Sequence, residues 1–221
     1  MPELIELDGP VEGVVTLTLA RPEKKNALSI QLRDEVSDAL DALAGTDAVK
    51  VIVLTGAGDT FSAGFDLREF EQPELADELW ASSDRFHATV LSFALPIVAA
   101  VNGPALAGGF DLAVMCDIRV AADTARFAHP EITFGDVVYG PLHDLVGGAV
   151  ARELCFTGRV VEAREAKELG LVSSVVATGQ LTDEIRRYTE QIVRAPRDVL
   201  VRTKAKAVRR ADVVRGATLD L

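Results

Sequence analysis

The sequence predicts an α/β fold built around a mainly parallel sheet. Apolar runs bounded by Gly or Pro recur along the 221 residues, and segments of helical periodicity separate them. Such alternation favours parallel strands joined by right-handed connections. With 48% hydrophobic residues the chain can fill a sizeable core. We expect a core domain over residues 1–180 and a helical segment over 181–221.

The first half of the chain gives a strand, a helix and a second strand. Residues 14–19 alternate apolar and Thr side chains, the period of a strand with one buried face. Ser29 is a suitable N-cap and Gly45 a suitable stop for a helix between them. Its apolar stripe is Leu32, Val36, Leu40 and Leu43. The continuous apolar run VKVIVLTG at 49–56 predicts a strand covered on both faces.

The second half continues the alternation and then becomes helical. We expect helices over about 74–94 and 108–116, and strands at 97–103, 118–122 and 171–176. From about 181 to 211 the pattern is helical and charged, without a strand. The basic run VRTKAKAVRR in that part predicts a solvated helix face.

Charge and cysteine content exclude several classes of function. The 23 Lys and Arg against 34 Asp and Glu give a net charge of -11, which argues against nucleic-acid binding. Cys116 and Cys155 stand apart without a CxxC pair, which suits a reducing compartment and excludes a cysteine-built zinc site. No apolar run is long enough to span a bilayer and no signal peptide is recognisable. These features predict a cytoplasmic protein without a membrane partner.

Three familiar motifs are incomplete. GAGDTF at 56–61 has Phe61 where a dinucleotide-binding turn requires Gly, which argues against a nicotinamide site. Ser62 lacks the Gly two residues earlier that a nucleophile elbow needs. The three histidines, His87, His129 and His143, show no metal-ligand spacing, so we expect no metal site. Of the three, only His129 remains of functional interest, because of its neighbours in the sequence.

Two glycine-containing segments follow buried strands: FSAGFDL at 61–67 and NGPALAGGFDLAVMCD at 102–117. Ligands bind at the carboxyl ends of parallel strands, where small residues let backbone N–H groups approach closely. Two such loops would supply two converging donors. The alternative is that the glycines serve only turns and close helix packing.

These loops occur in a fixed order with RPEKKNALS at 21–29, ARFAHPEITFG at 125–135 and FTGRVVEAREAKELGLVSSVV at 156–176. In this combination, over roughly residues 11–205, the sequence resembles the crotonase superfamily of enoyl-CoA hydratases and isomerases. The resemblance implies a ClpP/crotonase-like spiral of repeated ββα units. It also implies an acyl-CoA substrate, no cofactor beyond the CoA of that substrate, and trimers or dimers of trimers.

The resemblance assigns roles to residues that match the family pattern. Phe65 and Gly108 correspond to the backbone donors of an oxyanion hole, which would stabilise an enolate-like thioester. Asp111 and Glu131 correspond to the two catalytic acids. Residues implied in substrate binding are Ala63, Gly64, Asp66, Gly109 and Tyr139.

The chain departs from the family pattern in three places. Asp111 replaces the Glu typical of hydratases and looks more like the dienoyl-CoA isomerase branch, but that branch carries an Asp where this chain has Tyr139. The segment at 135–148 is shorter than the usual glycine-rich stretch, which leaves Tyr139 or His143 as local substitutes in the acyl pocket. The helical segment at 181–221 is shorter than usual for the family.

We therefore expect a hydratase-like lyase in which Glu131 is the principal acid/base and Asp111 its partner in handling water. An enoyl- or dienoyl-CoA isomerase that needs only Glu131 is the nearest alternative. A noncatalytic acyl-CoA-binding or assembly subunit is the alternative of another class. For the acids themselves, a helix first-turn role for Asp111 and a solvated loop position for Glu131 remain open.

Overall fold

The computed structural model describes residues 3–210 and consists of two sheets with helices packed around them. The strands are β1 Ile5–Val11, β2 Val14–Leu19, β3 Val51–Gly56, β4 Ile97–Val101, β5 Ala105–Leu106, β6 Ile118–Ala122, β7 Arg126–Ala128, β8 Val161–Glu162 and β9 Ser174–Val176. The α-helices are α1 Ile30–Ala44, α2 Leu67–Phe70, α3 Ala76–Ser92, α4 Gly108–Met115, α5 Gly140–Thr157, α6 Ala163–Glu168, α7 Leu181–Ile192 and α8 Arg197–Arg210. Single 3-10 turns lie at Pro22–Lys24, Pro73–Leu75, Pro130–Thr133 and Thr178–Gln180.

The larger sheet has six strands in the order β1-β2-β3-β4-β6-β9. Only the β1–β2 hairpin is antiparallel, and every other neighbouring pair is parallel. All five residues of β4 are buried, and so are all but one of β3. The continuous apolar runs therefore form central strands covered on both faces, as predicted.

A smaller sheet with the order β5-β7-β8 lies beside the larger one. The chain passes from β4 in the large sheet to β5 in the small sheet and then into α4. It repeats this path through β6, β7 and α5. These repeated ββα units confirm the predicted spiral.

Helix α1 covers one face of the large sheet and begins and ends where the sequence predicted. The Ser29 hydroxyl accepts a hydrogen bond from the Leu32 amide at 3.3 Å, and the helix stops before Gly45. Leu32, Val36 and Leu40 are buried in the main core. The opposite face of the sheet is covered by α7, where Leu181 and Ile185 pack with the side chains of β3, β4 and β6.

Two of the differences from the sequence prediction have a clear physical cause. Strand β9 covers only Ser174–Val176, because the amides of Leu171 and Val172 both donate to Ala166 O at the end of α6 and are not available to the sheet. The expected helical stretch from 181 is divided at residues 193–196. Pro196 has no amide to donate, and Lys50 Nζ binds the carbonyls of Val193 and Ala195 at 2.7 and 3.1 Å.

The C-terminal part of that prediction, from 211 onward, lies outside the described residues. The division into segments 1–180 and 181–221 therefore stays a prediction. Within residues 3–210, no helix is long and apolar enough to cross a membrane.

Candidate active site

The first glycine-containing loop is held between two neighbouring chain segments. On one side the Leu28 amide donates to Gly64 O at 2.8 Å, and Leu28 pairs with Phe65 in a parallel bridge. On the other side Ser62 pairs with Ala105, and the Leu106 amide donates to Ser62 O at 2.9 Å. Gly64 O points toward Leu28. The Phe65 N–H belongs to the same trans peptide, so it points the opposite way, toward the start of α4.

Two backbone conformations shape this junction. Gly64 has φ +91°, and a Cβ there would lie 2.7 Å from Ala107 Cβ and 3.0 Å from Gly108 N. Ala107 itself has φ 51° and ψ -132°, a strained conformation for a residue with a side chain. Its amide donates to Ala128 O at 2.9 Å, which fixes the turn. Strain of this kind clusters at functional sites.

The amides of Phe65 and Gly108 lie side by side at this junction. A Cβ built on Gly108 would be 3.6 Å from Phe65 N and 2.8 Å from Cδ1 of the Phe65 ring. Gly108 is the first residue of α4, where an amide has no partner inside the helix and carries the positive end of the helix dipole. Two backbone donors predicted from separate loops are thus brought together.

The small sheet brings the acidic residues to the same place. Leu106 of β5 pairs with Ala128 of β7 in parallel register, so both strands end at one edge. From that edge β5 leads into α4, which carries Asp111 in its first turn, and β7 leads into His129 and the 3-10 turn that carries Glu131.

Asp111, His129 and Glu131 form a buried cluster, which we call the acid–imidazole triad. His129 Nδ1 lies 3.0 Å from Glu131 Oε1 and 3.6 Å from Asp111 Oδ1. The side chains of His129, Asp111 and Glu131 are 0%, 9% and 10% exposed. The alternative reading of Glu131 as a solvated loop acid is therefore wrong, because its carboxylate is buried against an imidazole.

Burial and mutual charge set the protonation of the triad. Burial raises the pKa of Asp111 to about 7, against a lowering by the His129 imidazole and a further raising by Glu131. Burial by itself lowers the pKa of His129, but the hydrogen bond to Glu131 and the charges of the two carboxylates raise it above its ordinary value. A group poised near neutrality is suited to proton handling.

Each member of the triad keeps one polar atom without a partner. Among the side chains of residues 3–209, buried atoms that lack a hydrogen-bond partner include Asp111 Oδ1, His129 Nε2 and Glu131 Oε2. Buried polar atoms are ordinarily satisfied, so unpaired ones mark a place for a ligand or water. Each of the three residues also offers one possible metal-ligand atom, and these atoms lie within 4.8 Å of one another, a spacing that a divalent cation could bridge. A hydrogen bond between His129 Nδ1 and Glu131 Oε1 accounts equally well for their 3.0 Å separation. The expectation that the chain binds no metal stays a prediction.

The other residues predicted to bind substrate have various surroundings. The Ala63 amide donates to Lys25 O at 2.9 Å, and a Cβ on Gly109 would lie 2.3 Å from Ser62 O, so both serve the close packing of the loop. The Asp66 carboxylate pairs with Arg21 at 2.8 Å and caps α2. Tyr139 precedes α5, and its ring centroid lies 5.5 Å from that of His143.

Sequence reasoning missed the place of His129. Its only signal was its position two residues before Glu131 in AHPEI, and no recognised metal or catalytic spacing includes it. Cys155 was also set aside, yet it is buried beside the triad: burial raises the pKa of its thiol to about 11, and Asp111 and Glu131 raise it further.

Comparisons with known proteins agree with this architecture. The family model described as enoyl-CoA hydratase/isomerase matches residues 10–220. A probable enoyl-CoA hydratase of Rhizobium meliloti is 41% identical over 194 residues, which cover 86% of this chain and 74% of that protein. A putative enoyl-CoA hydratase of Thermus thermophilus is 38% identical, covering 82% of this chain and 75% of the relative.

Solved structures agree as well. The crystal structure of an enoyl-CoA hydratase from Bacillus anthracis superposes with a TM-score of 0.89 at 32% identity, covering 96% of this chain and 84% of that one. The enoyl-CoA hydratase structure from Mycobacterium smegmatis gives 0.87 at 36% identity, with the same coverage. The chain therefore belongs to the enoyl-CoA hydratase/isomerase family within the crotonase superfamily.

Proposed function

We propose that the protein is an enoyl-CoA hydratase that adds water across the conjugated double bond of a 2-enoyl-CoA thioester. The observation that carries the proposal is a pair of buried carboxylates, each with one unpaired oxygen, close to two neighbouring backbone amides. The hydratase names of relatives at 38 to 41% identity support it.

The amides of Phe65 and Gly108 would bind the thioester oxygen. Attack of water on the β-carbon moves electron density onto that oxygen and gives an enolate-like species. Fixed donors stabilise the charge, and removal of one such donor in other enzymes costs about 3 to 4 kcal/mol in the transition state. The dipole of α4 adds to their effect.

Glu131 and Asp111 would handle the water. Asp111 accepts a hydrogen bond from one O–H of the water, and Glu131 Oε2 takes the proton of the other as the oxygen bonds to the β-carbon. Glu131 then returns that proton to the α-carbon, so one water supplies both new bonds and Glu131 regains its charge. Proton transfer of this kind contributes about 10² to 10⁴ in rate.

An enoyl-CoA isomerase is the second candidate, and Asp111 is the observation that favours it. Glu131 alone could carry a proton between the α- and γ-carbons without any water. Asp111, one methylene shorter than the usual Glu, would then be dispensable. Comparison of Asp111→Asn with Glu131→Gln separates the two: loss of turnover in both variants supports hydration, and loss only in Glu131→Gln supports isomerisation.

The direct test uses trans-2-enoyl-CoA and trans-3-enoyl-CoA thioesters, followed by enone absorbance and product mass. Loss of conjugation with the added mass of water is the expected result. Gain of conjugation at constant mass would replace hydratase by isomerase. Binding of both thioesters without turnover would replace it by the noncatalytic acyl-CoA-binding alternative.

The setting of this activity is part of the proposal. A 2-enoyl-CoA substrate places the protein in acyl-CoA or fatty acid metabolism, with no cofactor beyond the CoA of the substrate. The buried free thiols of Cys116 and Cys155 support a reducing, cytoplasmic compartment. We expect a homotrimer or a dimer of trimers, which light scattering would test.

A further inference from the structure

We propose that His129 is a positioning residue whose charged form is favoured by the two carboxylates beside it and whose Nδ1–H turns the free oxygen of Glu131 toward the substrate. The inference rests on the proposed function for its effect on turnover, but the charge state of His129 can be measured independently.

The geometry fixes the imidazole rather than leaving it mobile. The Phe110 ring packs against it with a centroid distance of 4.6 Å, and the side chain is fully buried. The His129 carbonyl is enclosed too, since a Cβ on Gly158 would come within 2.7 Å of it. Among residues 3–209, the ring's hydrogen bond joins Nδ1 to Glu131 Oε1, so the ring sets the orientation of that carboxylate.

The charges around His129 favour its protonated form. The titratable groups that face it are Asp111 on α4 and Glu131 on the adjoining 3-10 turn. Cys155 on α5 lies near both acids, and burial raises the pKa of its thiol to about 11, so it adds no charge near neutrality. No Lys or Arg acts on Asp111 or His129 within the described part of the chain. Two buried carboxylates without a counter-charge cannot both ionise, whereas an imidazolium between them allows it.

The hydrogen-bond pattern gives this charge a chemical use. Nδ1–H occupies Oε1 of Glu131 and leaves Oε2 unpaired. In the proposed reaction Oε2 is the atom that takes and returns the proton. Nε2 lacks a partner whether or not it carries a proton, so the contacts with the two carboxylates decide the charge of the ring.

The charge state can be measured by NMR titration of labelled histidine, because the chain has only three histidines and single substitutions assign each signal. We expect the His129 midpoint to lie above the roughly 6.5 of an unperturbed imidazole and to fall in Glu131→Gln. A midpoint below that value, or one that Glu131→Gln leaves unchanged, would overturn the proposal even in a protein that hydrates enoyl-CoA normally.

Two substitutions then separate positioning from packing. His129→Asn keeps an N–H donor near the Nδ1 position but loses the charge, and His129→Leu keeps apolar volume but loses both. We expect His129→Leu to lower kcat on the order of 10²-fold with KM little changed, with partial recovery in His129→Asn. In both variants the acidic limb of the pH profile should move to higher pH. An unmoved pH profile would make His129 merely structural.

Discussion

His87 is a buried histidine whose surroundings disfavour its charge, in contrast to His129. Its ring stacks on Phe65 at 6.1 Å and packs against Phe86 at 5.6 Å. Burial and then the nearby Arg33 guanidinium lower the pKa of His87 to about 4, against a smaller opposing effect of Asp84. The residue therefore packs against the Phe65 ring as a neutral imidazole.

This environment predicts an acid-dependent loss of stability. Between pH 6.5 and about 4 the unfolded chain binds a proton at His87 that the folded protein does not, so stability falls as the pH falls through this window. The loss attributable to His87 is up to about 3 kcal/mol at the low end.

Urea unfolding of wild type and His87→Gln at pH 7 and pH 4.5 measures the effect. We expect the variant to lose less free energy of unfolding than wild type over that interval, and His143→Gln, at an exposed histidine, to behave like wild type. Equal losses in wild type and His87→Gln would contradict the account.

At the residue scale, the resemblance to the crotonase family identified the two acids but not their surroundings. Asp111 and Glu131 were predicted because they match the positions of the family's two catalytic acids, one after the glycine of the second loop and one after a proline. His129 was not, since its importance depends on β5 and β7 ending at one edge, and no local pattern encodes that long-range pairing.

At the scale of elements, the turn from β5 into α4 and the Phe61–Asp66 loop form one unit. Gly64 allows the close approach of these two segments. Its φ of +91° suits glycine, and its position leaves no room for a Cβ, which would lie 3.0 Å from Gly108 N. A side chain there would meet the Ala107 Cβ and Gly108 N and separate the two amide donors.

Gly64→Ala should therefore lower turnover of an enoyl-CoA on the order of 10²-fold or more, because the displaced donors no longer converge. Gly179→Ala is the matched control, since a Cβ at Gly179 meets nothing within 4 Å and its φ is not positive. Kinetics of both variants, with circular dichroism to establish folding, make the comparison. Wild-type turnover in a folded Gly64→Ala protein would disprove the role of this turn.

The sequence predicted element types well where burial and capping coincide and less well where tertiary contacts end an element. Helix α1 began after Ser29 and ended before Gly45 because both signals are local. Strand β9 was shorter than predicted because the amides of Leu171 and Val172 cap α6 instead. Apolar periodicity indicates that a residue is buried, but it does not show whether its amide pairs with a neighbouring strand or caps a helix.

At the scale of the whole molecule, an ion pair connects α8, the last described helix, to the large sheet. Lys204 Nζ of α8 lies 2.6 and 2.7 Å from the two oxygens of Asp117, whose Oδ2 also accepts the Ile97 amide at the start of β4. Lys204 is 7% exposed. The pair thus joins the end of the described chain to the two central strands that Asp117 adjoins.

Lys204→Met should lower the free energy of unfolding by about 1 to 3 kcal/mol, because it removes a charged hydrogen bond from a buried position. Arg202→Met on the same helix removes an exposed pair with Asp198 and should change stability by less than about 0.5 kcal/mol. Denaturant unfolding compares them. Similar small effects in both variants would show that α8 is not held by this pair.

The proposed hydration depends above all on proton transfer by the buried carboxylate of Glu131. The most direct measurement is turnover of a trans-2-enoyl-CoA by wild type and Glu131→Gln, with thioester binding measured in parallel. We expect Glu131→Gln to bind the thioester but to turn it over about 10² to 10⁴ times more slowly. Unchanged turnover in Glu131→Gln would contradict the proposal.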